Sequence, residues 1–375
     1  MKSPQRAPAV VITGMGIVSC FGIGAQAVQA GLATSPPARR ETPSEAPPQV
    51  RDARAACPFQ LDHHLAFRSV GYVSRLTELS LLGAHLALAD AELAPPAMDA
   101  PRLGIIYASA HGDPISRERG WRELLEQGPQ KLSPIVIPEA LTSNMHPGVV
   151  AIHFGLQGVM CTLSMGEAGG LGAVAYALES LRGRRADALL ACGADCLSDS
   201  LFDYYAAALG MLGGGQTDIP LGEGCVSLLL EREEQAVARR ARVYARCAGY
   251  GLSGDPGSSG LLRAMRMALR DARLAPDAIQ LICLNENGTL LDEQEQEALR
   301  QLFGAGRLPP SIALKRWTGE TCAMGGSLNA AYGALWLAGS APPPGAPASS
   351  SQRPPACLAL ASSFEGMHAA VVLQG

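Results

Sequence analysis

Apolar residues in this chain fall into short runs closed by glycine-bearing turns, alternating with longer stretches at helical spacing. Val10-Val11-Ile12-Thr13 is followed by Gly14 and Gly16, which predicts a strand, a turn and then a helix. Leu76 to Leu93 repeats at helical spacing and predicts a long helix ending before Pro95-Pro96. Leu103 to Ser109 reads as a strand running into the polar turn His111-Gly112-Asp113. A helix is expected after Asn144-Met145-His146-Pro147, as far as Phe154-Gly155. Val159 to Leu163 reads as a buried strand. Ala168 to Arg182 is apolar almost all round, the mark of a buried helix, and Gly183 stops it. Ala186 to Ala191 and Val226 to Glu231 are further strands. The pattern over Arg242 to Gly251 echoes residues 9 to 24. Residues 35 to 56 and the proline-rich tract 341 to 356 read as loops. Periodicity alone supports an α/β protein of the doubly wound kind.

Composition narrows this picture. The 375 residues are 47% hydrophobic and 17% charged, enough for a large core in one large or two smaller domains. A formal charge of -4 supplies no basic field, so no nucleic acid partner is expected. The ten cysteines form no CxxC pair, which argues against a zinc site or a disulfide framework and for buried thiols in a reducing cytoplasm. No metal or cofactor is expected. Lys2, Arg6 and Ala25-Gln26-Ala27 imitate a secretory leader, but Gly14, Gly16, Gly22 and Gly24 break its apolar stretch. No run of about 18 apolar residues exists, so no membrane span is expected. Gly14-Met15-Gly16 is part of a dinucleotide fingerprint, but Ser19 stands where its third glycine is needed.

The most informative stretch is Ser164 to Ala173, where a strand turns into the buried helix with Glu167 at the turn. A side chain there meets the N–H groups and dipole of a helix start, a place for a nucleophile. A carboxylate is a poor acyl nucleophile, and the plain alternative is a helix-start carboxylate that only caps. His111 is expected to be a solvent-facing loop residue, and His146 and His153 to be core or interface residues.

Taken together, the motifs resemble the β-ketoacyl synthases. Val-Val-Ile-Thr-Gly-Met-Gly-Ile-Val-Ser is similar to that family's opening. Gly193-Ala194-Asp195 and Gly222-Glu223-Gly224 are similar to two of its glycine-bearing segments, and Ser362 to His368 to its closing one. The resemblance implies a thiolase-like α/β fold of two similar halves, residues 1–235 and 236–375, in αβαβα layers. It also implies a catalytic Cys and two His. Here Glu167 stands where the Cys would be, Asn287 of Asn285-Glu286-Asn287-Gly288-Thr289 replaces one His, and Glu320 of Lys315-Arg316-Trp317-Thr318-Gly319-Glu320 replaces the other. Of that set only Lys315 is retained. Ala168-Gly169-Gly170-Leu171 is closest to the chain-length-factor subunits, the cysteine-less partners of ketosynthases. Phe364 aligns with the family's pocket-gating phenylalanine, and Gly166, Thr289, Phe154 and Phe202 are placed on the pocket wall.

Condensation needs a thiolate to carry the acyl chain and neutral imidazoles to donate to a forming enolate. A carboxylate at a histidine position repels that enolate. Glu167, Asn287, Glu320 and Lys315 are expected to form a buried polar cluster instead. The resemblance therefore implies a chain-length-factor-like subunit that pairs with an active ketosynthase as a heterodimer and meets an acyl carrier protein bearing acyl or malonyl thioesters. The alternatives are a malonyl-carrier decarboxylase, which the loss of both histidines opposes, and a serine hydrolase using Ser164, an Asp such as Asp292, and His368.

Overall fold

A computed structural model describes residues 7–34, 53–54, 56–67, 73–93, 102–131, 136–211, 220–304, 306, 308–339 and 354–375. Most of the two expected loops, 35–56 and 341–356, lies outside the described residues.

The opening run forms the strand Val10–Ser19, buried along its whole length, which passes through Gly14 and Gly16 where a turn was expected. Its two glycines serve packing. A Cβ on Gly16 would lie 1.9 Å from the Gly83 carbonyl oxygen, and one on Gly14 would lie 2.2 Å from that of Ala87. The helix Arg75–Asp90 lies directly against the strand there, and Ser74 caps its start by accepting from the Thr77 N–H. The partial dinucleotide fingerprint is thus a close helix–strand contact.

The strands pair in an order that repeats. The first half runs Val10–Ser19, Gly224–Arg232, Ala188–Asp195, Leu103–Ala108, Met160–Leu163. The second runs Ala245–Ser253, His368–Gln374, Ala356–Ser362, Ile279–Cys283, Ser311–Ile312. Each half has two antiparallel junctions followed by two parallel ones. The halves meet where Val11 pairs with Arg246 and Ile12 with Ala245.

Three apolar cores match the layers. The central core joins the inner faces of both half-sheets to the helices Gly169–Arg182 and Ala323–Leu337. A second core lies under Arg75–Asp90 and Met145–Phe154, and a third under Ser258–Ala272 and Leu290–Phe303. The result is the thiolase-like αβαβα arrangement. The central helices touch through glycine, since a Cβ on Gly170 would lie 2.0 Å from the Ala323 carbonyl oxygen. The helices are apolar nearly all round because sheet and partner helix cover most of their faces, Tyr176 and Glu179 being the exposed positions of the first.

A further expectation is corrected. Met160–Leu163 ends its half-sheet, and Met160 is 45% exposed, so the run read as a buried strand is an edge strand. A short apolar run has the same composition in either place. Among the described residues, no helix is long and apolar enough to cross a membrane.

Candidate functional site

The turn before the first central helix is a single 3-10 turn, Gly166–Ala168. Gly166 has φ +52°, and a Cβ there would lie 2.6 Å from the Glu365 carboxylate and 2.8 Å from Ser363 Cβ. Glycine thus lets the turn 363–367 close over Glu167, which is 2% exposed. Glu167 Oε1 accepts from the Tyr205 hydroxyl at 2.5 Å, and Oε2 from the Phe364 N–H at 3.3 Å. Burial, and then the nearby Glu320, push its carboxyl up to about 7. Tyr205 comes from the helix Asp199–Met211, and its oxygen also lies 3.1 Å from His111 Nε2 and 3.3 Å from Cys322 Sγ. Burial drives the Cys322 thiol well above its usual range, with Asp195, Glu320 and Glu167 adding to it. The Cys322 thiol therefore stays protonated and cannot replace a nucleophilic thiolate.

A second cluster sits beside it. Glu320 Oε2 accepts from Lys315 Nζ at 2.8 Å and from Asn287 Nδ2 at 2.5 Å, while Oε1 accepts from the Cys322 N–H at 2.9 Å. Lys315 Nζ also donates to Asn285 Oδ1 at 3.0 Å, and Thr289 Oγ1 donates to Asn287 Oδ1 at 2.6 Å. The Lys315 and Glu320 side chains are 3% and 0% exposed, and these bonds meet the demand that buried charges be paired. Two acids on the helix Leu290–Phe303 shape the loop. Glu295 accepts from the N–H groups of Asn285 and Glu286, and Asp292 from those of Asn287 and Gly288. Burial pushes Glu295 up to about 7.

Asp195 ties the two halves together. Its carboxylate accepts from Ser109 Oγ at 2.7 Å, from the N–H groups of Ala110 and His111, and from the Ala323 N–H at the start of the second central helix. His111 is held in this way. It is half-buried and bonded to Tyr205, not turned to solvent as expected for a loop histidine. Sequence offered no sign that Asp195 would anchor two successive N–H groups of that loop.

The structure brings Lys315, Glu320, Asn287 and Thr289 into one network and sets Glu167 beside it. Lys315 pairs with one carboxylate, Glu320, not between two. Phe202 and Phe364 pack with Tyr205 and Cys322 on the outer side of Glu167. Phe154 stands apart, stacked on His85 and edge-on to His153. His146 is buried and bonded to Thr77, and burial lowers it to about 4. Tyr205 and Cys322 were missed by sequence reasoning, and the Tyr204-Tyr205 pair in an alanine-rich helix was the available signal. The hydrolase triad does not assemble: His368 Nδ1 bonds Ser362, and Asp292 caps the Asn287 loop. Among the described residues, no group of three metal-ligating side chains could hold a metal ion.

A family model for the β-ketoacyl synthase N-terminal domain matches residues 7–236, and one for the β-ketoacyl synthase C-terminal domain matches residues 244–348. The chain is 32% identical to the tetracenomycin polyketide synthase ketoacyl synthase beta subunit of Streptomyces glaucescens, over 92% of this chain and 90% of that one. It is 30% identical to 3-oxoacyl-[acyl-carrier-protein] synthase 2 of Coxiella burnetii, over 89% and 87%. The solved ishigamide ketosynthase/chain length factor superposes with a TM-score of 0.81 at 23% identity, covering 98% of this chain and 99% of the other. By the family models and by these two relatives, the chain belongs to the β-ketoacyl synthase family.

Proposed function

We propose that this chain is a non-catalytic, chain-length-factor-like subunit of a condensing pair for polyketide or fatty-acid-type elongation. The observation that carries the reading is the state of the central turn. Glu167 occupies the helix start where a thiolate would carry the acyl chain, and Tyr205 and the Phe364 N–H hold it. On this reading Glu320 and Asn287 occupy the two histidine positions. The Glu320–Lys315 pair offers no neutral imidazole to a forming enolate and places a carboxylate beside it. This also weighs against a decarboxylase. Relatives whose names contain a ketosynthase beta subunit and an acyl-carrier-protein synthase support a ketosynthase partner and a carrier-bound substrate.

The surface agrees with pairing. Among the described residues the strand Met160–Leu163 is an open edge, which proteins rarely leave uncovered. Exposed Leu141, Ile152 and Met160 lie on elements that pack on one another beside that edge. A partner covering them would complete an acyl pocket to which Phe202, Thr289, Gly166 and Phe364 contribute wall. We place the boundary between the halves at 235/236. The test is reconstitution. The chain alone should form no β-ketoacyl product from acyl- and malonyl-carrier, and addition of a cysteine-bearing ketosynthase subunit should restore product. Condensation by this chain alone would refute the reading.

A further inference from the structure

Glu167, Tyr205 and His111 stand in line, and one phenolic proton serves the middle of it. The Tyr205 oxygen lies 2.5 Å from Glu167 Oε1, 3.1 Å from His111 Nε2 and 3.3 Å from Cys322 Sγ. A phenol has one O–H to give, while its oxygen accepts from others. The direction of that O–H therefore depends on whether Glu167 holds a proton. Glu167 is 2% exposed, and among the described residues no lysine or arginine pairs with it, Lys315 being taken by Glu320. A buried carboxylate without a cation favours its neutral form, and here burial and the Glu320 carboxylate bring it up to about 7. Both forms of Glu167 are thus populated near neutral pH.

Each form dictates its own hydrogen-bond pattern. When Glu167 is ionised, Oε1 accepts from the Tyr205 hydroxyl. The Tyr205 oxygen then accepts from His111, so Nε2 carries the ring proton. When Glu167 is protonated, its hydrogen sits on Oε1, because Oε2 faces the Phe364 N–H at 3.3 Å. That hydrogen goes to the Tyr205 oxygen, the phenol donates to His111 Nε2, and the ring proton sits on Nδ1. A ring nitrogen is a stronger acceptor than the Cys322 thiol, so it takes the phenol proton. The charges around the ring oppose one another. Asp195 accepts from the His111 N–H and from Ser109, Ala110 and Ala323, while Arg117 Nη2 donates to the His111 carbonyl at 2.7 Å. Tyr204 stands edge-on to the ring. At the other end of the line Glu320 and Glu365 are the carboxylates that act on Glu167.

We propose that Glu167, Tyr205 and His111 form a proton-operated switch, in which loss of the Glu167 proton reverses both hydrogen bonds and moves the His111 ring proton from Nδ1 to Nε2. The transfer balances along the line. The Glu167 hydrogen passes to the Tyr205 oxygen, the Tyr205 hydrogen passes to Nε2, and Nδ1 releases one proton to water. The ring stays neutral on both sides of the switch, and no bond between heavy atoms changes. His111 is half-buried on the wall of a cavity of about 350 Å³, and among the described residues Nδ1 has no hydrogen-bond partner. The ring therefore gives a hydrogen bond at Nδ1 below the switch point and takes one above it. The switch belongs to this chain alone and stands apart from the pairing reading.

The test is a pH titration of the full chain labelled with 15N-histidine, from about pH 5.5 to about 8.5. Two-bond 1H–15N correlation separates the two neutral tautomers and the imidazolium. His111→Gln and His111→Asn, each checked for native melting, assign the His111 signals by their loss. In the wild-type chain the Nδ1–H form should lead about tenfold at about pH 6 and the Nε2–H form about tenfold at about pH 8, one unit on either side of about 7. Glu167→Gln should fix the Nδ1–H form across the range, because its amide NH2 donates to Tyr205 while its carbonyl accepts from the Phe364 N–H. Tyr205→Phe should cut the line and abolish the tautomer change, which a role in packing alone would leave in place. One tautomer throughout, an imidazolium in place of the Nδ1–H form at about pH 6, or the same reversal in Glu167→Gln would overturn the proposal. A reversal seen in a chain that finds no ketosynthase partner would sink the pairing reading and leave this one intact.

Discussion

Glu167 and Glu320 show how one residue type serves two ends according to its neighbours. Glu320 has a lysine and stays paired. Glu167 is buried, with the Glu320 carboxylate nearby, and these two raise its carboxyl from 4.5 to about 7 against the opposing hydrogen bond from Tyr205. Between those values the folded chain holds a proton that the unfolded chain has released, so stability falls as pH rises and levels off above about 7. Glu295 acts in the same direction and range. The total loss across pH 5 to 7.5 should be several kcal/mol, since each tenfold gain in a group's proton affinity on folding is worth about 1.4 kcal/mol. Glu167→Gln should remove roughly half of that slope in urea unfolding measured at successive pH values. At the other cluster, Lys315→Met should cost about 3–5 kcal/mol by leaving Glu320 buried and unpaired, and the Lys315→Met/Glu320→Leu double variant should recover most of it. A double variant no better than the single one would show that the hydrogen bonds around Glu320, not charge pairing, hold the site.

At the scale of elements, glycine decides how closely the layers approach. Gly170 faces the Ala323 carbonyl with no room for a methyl group, whereas a Cβ on Gly148 would meet nothing within 4 Å. Gly170→Ala should lose about 1–3 kcal/mol through overpacking, while Gly148→Ala should be close to neutral, as read by denaturant midpoints. The edge strand makes a functional prediction. Ile152→Glu, on an exposed face, should leave the melting temperature within a degree or two but abolish co-purification with a ketosynthase subunit. Retained co-purification would place the pairing surface elsewhere.

Elements of this kind were legible in the sequence because their cause is local. Helix Arg75–Asp90 and helix Gly169–Arg182 follow from apolar spacing and from the residues at their ends, whereas of strand Val10–Ser19 only the start followed, because Gly14 and Gly16 read as a turn and serve helix packing instead. The polar partners of Glu320 were legible too, since Lys315, Asn287 and Glu320 lie in two motifs. The edge position of Met160–Leu163 was not, because burial of a short run depends on strands far away in sequence. Nor was the His111–Tyr205–Glu167 chain, which joins three loops and helices whose approach is set only by the fold.

At the scale of the molecule, two copies of one strand order enclose a pair of buried helices, and the start of each helix faces the same small volume. On the function proposed above, the chain's polar network in that volume stands where a condensing enzyme would need a thiolate and two imidazoles. Its likeness to a ketosynthase beta subunit fits a division of labour in which a second chain carries the acyl group. The most direct test is intact-protein mass spectrometry of the assembly isolated from its native cells, after exposure to acyl-loaded carrier protein. This account predicts two different chains in equal amount, with the acyl mass added to the partner and none to this chain. An acyl adduct on this chain, or a homodimer that condenses malonyl units unaided, would contradict it.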